Sequence, residues 1–411
     1  MGIDADILII GAGASGMAAA IEAAGVSPEA KILLLERSDR AGRKILVTGN
    51  GRCNLSNSGI DVSCYNSAVS GFSDVMERYA DDRSFFRKMG LVTREEREGR
   101  IYPYSGQASS VLDALRFMVS ASGAETVYGA QVTGILPQEN GFTVTAEDGS
   151  EYSAAKVIVA AGSPAGAHGF ANRKLISSLI SQGEGFREFS PALAPLMVRD
   201  LPAQLKGTRV QADVTLQLPD GRKETASGEV QFGSGYVSGI CVMDLSREYN
   251  GEKGAFLIMD LCPDMSCRKI AEFISEVTVI RGNADASTAL SGLMQKSVGE
   301  VILKTCCDDL YRRKTGSLTS KEIENVSELI KGYKVEVTGK GDFRSAQICR
   351  GGFSGLNGET LESAVCNGLY FCGEIVDVDG RCGGYNLHWA WASGRAAGAS
   401  AASSLKKTPE Q

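Results

Sequence analysis

The chain has 411 residues, of which 43% are hydrophobic and 22% charged. That length predicts two or three domains at ~150 residues each and a core large enough to need no disulfides, so disorder is excluded as its main state. Basic residues number 43 against 49 acidic ones, a net charge of −6; the basic footprint of a nucleic-acid binder is missing, and no nucleic-acid partner is expected.

In chain order, residues 5–36 read as strand, glycine-rich turn, helix and strand. The first strand, Asp6-Ile7-Leu8-Ile9-Ile10, begins with no charged leader before it. Eleven cysteines without a repeated spacing then suggest a reducing, cytoplasmic setting. No apolar run reaches the ~18 residues of a membrane helix, so no membrane partner is expected. Residues 72–90 fit one helix, with Val75, Met76, Tyr79, Phe86 and Met89 on a face and Gly90 as its stop. A second helix covers 109–123. Residues 124–161 read as a β-meander with turns at Glu139-Asn140-Gly141 and Glu147-Asp148-Gly149. The meander ends in the apolar strand 156–161, capped by Gly162.

The texture changes after residue 190. Val210, Ala212, Val214, Leu216 and Leu218 alternate with polar residues, which predicts a strand with one wet face. Further strands are expected near 229–232 and 254–261. Residues 191–264 are therefore read as an antiparallel insert, and 265–335 as a helical one, with Ser320 capping its last helix. Segments 1–190 and 336–405 form the two parts of one flanking domain. Within the second part, 368–374 is a strand and 386–404 a helix rich in Ala, Ser and Gly; the tail 406–411 reads as disordered.

The chemistry begins at Gly11-Ala12-Gly13-Ala14-Ser15-Gly16, which follows an apolar strand and opens a helix. The first glycine permits the tight turn, the second lets a pyrophosphate approach the backbone, and the third lets helix and strand pack closely. The helix N-terminus supplies unpaired N–H groups. Glu36 ends the next strand, placed to accept hydrogen bonds from adenosine ribose hydroxyls and to repel a 2′-phosphate. A dinucleotide site follows.

Two further segments select FAD over NAD. Arg37, Gly42-Arg43-Lys44 and Thr48-Gly49-Asn50-Gly51-Arg52-Cys53-Asn54 make a glycine-rich, basic loop suited to a phosphate and an electron-rich ring. Near the other end, Gly373-Glu374 terminates a strand where a carboxylate can hold polyol hydroxyls. Asp377, Val378, Asp379 and Gly380 follow, and Gly383-Gly384-Tyr385-Asn386 opens the last helix. A helix N-terminus at the flavin pyrimidine would stabilise the anion formed on reduction. Ala161 and Gly162, at the end of the apolar strand, complete the cofactor set.

The runs 11–16 and 48–54 and the stretch GLYFCGEIVDVDGRCGGYNLHWAWASG at 368–394 resemble the BaiN/RdsA family of NAD(P)/FAD-dependent oxidoreductases over essentially the whole chain. The resemblance implies an α/β fold. A Rossmann-like FAD-binding domain of the two-dinucleotide-binding superfamily type would carry an inserted β-barrel and a helical subdomain. It implies FAD contacts at Ala14, Ser15, Glu36, Arg37, Lys44, the 49–54 loop, Val132, Gly373, Glu374, Asp379 and Asn386. It also implies NAD(P)H-driven hydride transfer from flavin N5 to an activated C=C bond of an apolar, steroid- or bile-acid-like substrate. The alternative is an O2-dependent amine oxidase acting on a small aminoketone such as aminoacetone. Members often have Gln where His388 stands and a Thr-His pair where Phe232-Gly233-Ser234-Gly235 stands.

No catalytic residue is fixed. His388, on the first turn of the last helix, either faces the ring as a proton donor or packs beneath it. Tyr104, with Tyr102, is a candidate for the pocket lining. His168 reads as structural or adenine-side, Trp389 and Trp391 as core. With two histidines in the chain, no metal site is expected. Cys262 and Cys267 have redox-disulfide spacing but lie in the insert.

Overall fold

The computed structural model describes residues 4–166 and 172–405. His168 and the 406–411 tail lie outside the described residues. The chain divides into two compact units, Met1–Pro191 with Gln347–Gln411, and Ala192–Ala346.

The first unit opens with β1 (Ala5–Ile10), α1 (Ala14–Val26) and β2 (Ile32–Glu36), as the motif requires. Two short strands follow, β3 (Ser56–Asn57) and β4 (Tyr65–Ser67). The expected single helix over 72–90 is two helices, α2 (Phe72–Arg78) and α3 (Asp82–Lys88). Asp81 breaks it by turning its carboxylate onto the Ser84 N–H, 2.9 Å away, and so capping a new helix. Next come β5 (Thr93–Glu95), β6 (Arg100–Pro103) and α4 (Ala108–Ala121). The meander consists of β8 (Val132–Gln138), β9 (Gly141–Ala146) and β10 (Glu151–Val159). Its expected first strand, β7 (Glu125–Tyr128), instead pairs in parallel with β2 at the opposite edge of the sheet. The segment ends with α5 (Arg173–Ser181) and β11 (Phe186–Ala192).

The second unit is a closed barrel of order β12-β15-β14-β13-β16-β17, with helices around it. Its elements are β12 (Leu196–Val198), β13 (Arg209–Gln217), β14 (Lys223–Phe232), β15 (Tyr236–Ser238), α6 (Ile240–Ser246) and β16 (Ala255–Asp260), then α7 (Cys267–Ile280), α8 (Lys296–Cys306), α9 (Ser320–Lys331) and β17 (Tyr333–Lys340). The period-two reading of β13 is visible in its burial: Ala212, Val214 and Leu216 join Val230, Leu257 and Met259 in the barrel core. The insert runs past residue 335 because β17, after the helices, pairs with both β12 and β16 and closes the barrel. Thr319, not Ser320, caps α9, through a reciprocal capping box with Glu322. Cys262 and Cys267 are free thiols.

The chain then returns to the first unit as β18 (Ile348–Phe353), β19 (Leu369–Phe371), β20 (Val378–Gly380) and α10 (Tyr385–Leu405). β10 joins the two segments. Its first half pairs with β9, and its second half, Val157 to Val159, pairs in parallel with β19. No helix among the described residues is long and apolar enough to cross a membrane.

Candidate cofactor site

Four parallel strands end side by side. Ile10 of β1 is level with Leu35 of β2 and Val159 of β10, and Val159 is level with Phe371 of β19. Gly11, Glu36, Ala161, Gly162, Gly373 and Glu374 therefore all leave the carboxyl edge of one sheet, where ligands of open α/β sheets bind. The connection between β7 and β8 crosses the same edge, since the Ala130 N–H donates to the Glu36 carbonyl at 3.0 Å; this brings Val132 close.

Gly11 and Gly16 make the close backbone approaches the motif predicts. Gly11 has φ +104°, and a Cβ there would stand 2.5 Å from the Ala160 carbonyl oxygen. At Gly16 a Cβ would stand 1.9 Å from the Gly11 oxygen, so α1 packs on β1 at backbone distance. Gly13 differs, because its Cβ would meet nothing within 4 Å. Gly13 also begins α1 without a side-chain cap, and the first turn holds no acidic residue. The space beside Gly13 and the absence of a side-chain cap on α1 fit a pyrophosphate. Glu36 holds this loop in place: its two carboxylate oxygens accept from the N–H groups of Ala12 (2.9 Å) and Ser38 (2.8 Å). Burial pulls the Arg37 guanidinium below its usual range.

A second group of expected residues assembles around α10. Gly49, Asn50 and Gly51 turn through left-handed backbone with φ of 55°, 55° and 81°. Asn54 is buried, and its Oδ1 has no hydrogen-bond partner among the described residues. Such an acceptor suits an N–H donor on a ring. Lys44 Nζ reaches Glu374 Oε2 at 3.0 Å, while the other oxygen of Glu374 accepts from the Cys349 N–H. Asp379, buried, accepts from Asn66 Nδ2 at 3.3 Å. Asn386 pins the preceding turn by exchanging hydrogen bonds with the N–H (2.7 Å) and carbonyl (2.9 Å) of Gly380. The Tyr385 carbonyl accepts from Tyr65 OH at 3.0 Å. Cys53, wholly buried, has its thiol pushed up to about 12 by that burial; it is a packing residue of the loop and not a nucleophile.

Some expectations fall outside this group. Arg43 is exposed, 3.8 Å from Asp39. Arg52 pairs with Glu96 at 2.5 Å and stacks over Tyr102 at 4.1 Å. Tyr104 is 66% exposed on the surface, and the Arg94 guanidinium lies 5.7 Å from its ring centroid. The Val132 carbonyl accepts from Asn172 Nδ2. His388 does not open onto a cavity: it is fully buried, with Nδ1 2.5 Å from Asp82 Oδ2. The geometry is that of a packed residue tied to α3 through Asp82. Sequence reasoning missed Asp82, and also Arg350, whose Nε lies 3.7 Å from Asp379. It assigned Trp389 and Trp391 to the core, where they lie, but not their work: their indole N–H groups hold the carbonyls of Gly373 and Leu55. No local pattern marks these partners, because each lies far away in sequence.

The model of the HI0933-like protein Rossmann domain matches residues 5–400. The chain belongs to the HI0933-like family. Its larger unit is a Rossmann-type FAD-binding domain. Among similar proteins, a 3-dehydro-bile acid delta(4,6)-reductase of Clostridium scindens is 34% identical, covering 96% of this chain and 98% of its own. A ribosomal RNA dihydrouridine synthase of Escherichia coli is 26% identical, covering 94% and 96%. A quinol-fumarate reductase structure, 14% identical, covers all of this chain and 73% of its own with a TM-score of 0.51, a likeness of fold.

Proposed function

We propose that this HI0933-like protein is a FAD-dependent oxidoreductase. In our reading it takes electrons from NAD(P)H and saturates a C=C bond conjugated with a carbonyl in an apolar, polycyclic substrate of the oxo-steroid or bile-acid class. The uncapped N-terminus of α1, open at Gly13 and flanked by Glu36, carries the cofactor assignment. The direction of the reaction is supported by the end-to-end likeness to a bile-acid reductase. The dihydrouridine synthase, by its name, also saturates a C=C bond. The net charge of −6 favours the small molecule over RNA.

Bound in the cradle, FAD supplies two-electron hydride chemistry. The chain binds and orients. The N–H groups of the first turn of α1 would take the pyrophosphate, with Gly13 and Gly162 leaving room. Glu36 would accept from ribose hydroxyls, and its charge disfavours a 2′-phosphorylated adenosine. Lys44 and Glu374 would hold the polyol between them. Asn54 and the turn 384–386 would meet the ring, where the α10 N-terminus favours the negative charge of reduction. Because no second glycine fingerprint follows a strand in the sequence, the nicotinamide nucleotide is a transient co-substrate. Eleven free thiols suit a cytoplasmic setting.

Anaerobic stopped-flow mixing tests this reading. NADH or NADPH is expected to bleach the visible flavin band, and a conjugated 3-oxosteroid to restore it, while its saturated counterpart does not. Absence of bleaching by either nucleotide removes the reductase reading. Bleaching by aminoacetone alone, with peroxide release in air, would favour the amine-oxidase alternative.

A further inference from the structure

Behind the cofactor loops, α10 carries a polar pair that the proposed reaction does not use. His388 Nδ1 lies 2.5 Å from Asp82 Oδ2 and 3.4 Å from Ser56 Oγ. All three side chains are buried, His388 completely. His388 Nε2 and Asp82 Oδ1 are buried without hydrogen-bond partners among the described residues. Around the pair, α3 and α10 meet through the edge-on rings of Phe86 and Trp391, with centroids 5.2 Å apart.

Stability alone does not account for such a pair. Burying an imidazole and a carboxylate costs desolvation, and a half-satisfied polar network is worse than an apolar one. Well-packed apolar residues at both positions are often neutral or stabilising. The placement points to another role. The His388 N–H donates to the Gly384 carbonyl at 3.0 Å, at the start of α10. Gly384 has φ +105°, and a Cβ there would stand 2.2 Å from the Ser56 carbonyl oxygen, so these two backbones touch. Asn57 Nδ2 donates to the Gly383 carbonyl at 3.0 Å. The pair therefore sits where strand β3, which continues the Asn54 loop, is pressed against the turn that opens α10. It ties both to α3.

We propose that Asp82 and His388 are positioning residues: their hydrogen bond fixes the 383–386 turn against β3, and so sets the geometry with which the two flank FAD. The inference rests on the flavin reading above. It makes His388 a residue that acts through α10 and not a proton donor.

The test uses the full chain and three readouts: FAD affinity by titration, flavin reduction potential, and thermal unfolding of the apoprotein. Asp82→Leu alone strands the imidazole and lowers the unfolding temperature. The double variant Asp82→Leu/His388→Leu is expected to recover that temperature. It should nevertheless bind FAD at least about tenfold more weakly, equivalent to about 1.4 kcal/mol. Its reduction potential should also fall, because the α10 N-terminus is no longer held in place. His388→Gln keeps a donor within reach of Asp82 and should restore affinity and potential, whereas His388→Leu should not. A double variant with wild-type affinity and potential overturns the inference, as does His388→Gln that is as impaired as His388→Leu. Should the double variant fail to fold, the Gln and Leu variants decide by themselves. Wild-type protein that takes up no FAD is a separate result, which removes the flavin reading and this inference with it.

Discussion

Gly13 and Gly16 stand three residues apart, yet a methyl group would do opposite things at each. At Gly16 it would meet the Gly11 carbonyl oxygen at 1.9 Å, at Gly13 nothing within 4 Å. Gly16→Ala should therefore destabilise the apoprotein by ~1–3 kcal/mol, the usual range for overpacking, seen as a lower unfolding temperature. Gly13→Ala should leave apoprotein unfolding unchanged and weaken FAD in a titration. The thiols give a pH prediction. Burial pushes Cys53, Cys349 and Cys372 up to about 12 and Cys241 up to about 11, from an ordinary 9.0. The unfolded chain releases these protons above 9.0 while the folded chain keeps them. Their contribution to stability is thus complete below pH 9 and drains away as pH rises towards 12. Thermal unfolding across that range should show a steady fall, and a flat profile would contradict the burial of these groups. The role of Gly16 was legible in the sequence because its close contact, the Gly11 carbonyl, belongs to the same short motif. The partner of His388 was not, being 306 residues away.

At the scale of elements, α10 serves as a spine for the loops where we place FAD. Trp389 and Trp391 hold the Gly373 and Leu55 carbonyls at 3.2 and 3.0 Å, and Ser393 Oγ accepts from the Gly373 N–H at 2.9 Å. The helix also lies against α1 at backbone distance: a Cβ at Gly394 would stand 2.3 Å from the Ser15 oxygen, and one at Gly398 2.3 Å from the Ala19 oxygen. Gly394→Ala should push α10 off the first turn of α1, lowering both the unfolding temperature and FAD affinity, in contrast to Gly13→Ala. Affinity left intact would show that the two helices adjust independently. The small-residue face of this helix was plain in the sequence, as was β13 by its alternation; β16 was expected in place, and of β14 only its end at 229–232. The break between α2 and α3 was not, because a hydrophobic face continues across it and only the capping carboxylate of Asp81 interrupts the backbone. Nor was the parallel pairing of β7, since a four-residue strand carries no mark of which neighbour it joins.

For the whole molecule, the sheet edge where we place FAD is complete only when both chain segments are present, since β19 and α10 complete what β1, β2 and β10 begin. Ligand linkage then follows by mass action. FAD at a hundredfold excess over its Kd should add about 2.7 kcal/mol to the stability of the first unit. Calorimetry with and without FAD should show one transition move upward; no shift would exclude binding to the native state. That the two ends build one domain was legible, because each end carries its own part of the cofactor motif. Where the insert ends was not, because β17 belongs to a barrel whose partner strand β12 precedes it by more than a hundred residues.

The dual pairing of β10 matters also while the protein is being made. The outer half of that strand waits for β19, which the ribosome delivers more than 200 residues later. At ~5–20 residues per second the nascent chain spends on the order of ten seconds or more with an unpaired strand edge beside the end of β1. The barrel, by contrast, has all its strands by Lys340 and can close first. Biogenesis should therefore run from the middle of the gene product outward, with cofactor loading reserved for the finished polypeptide.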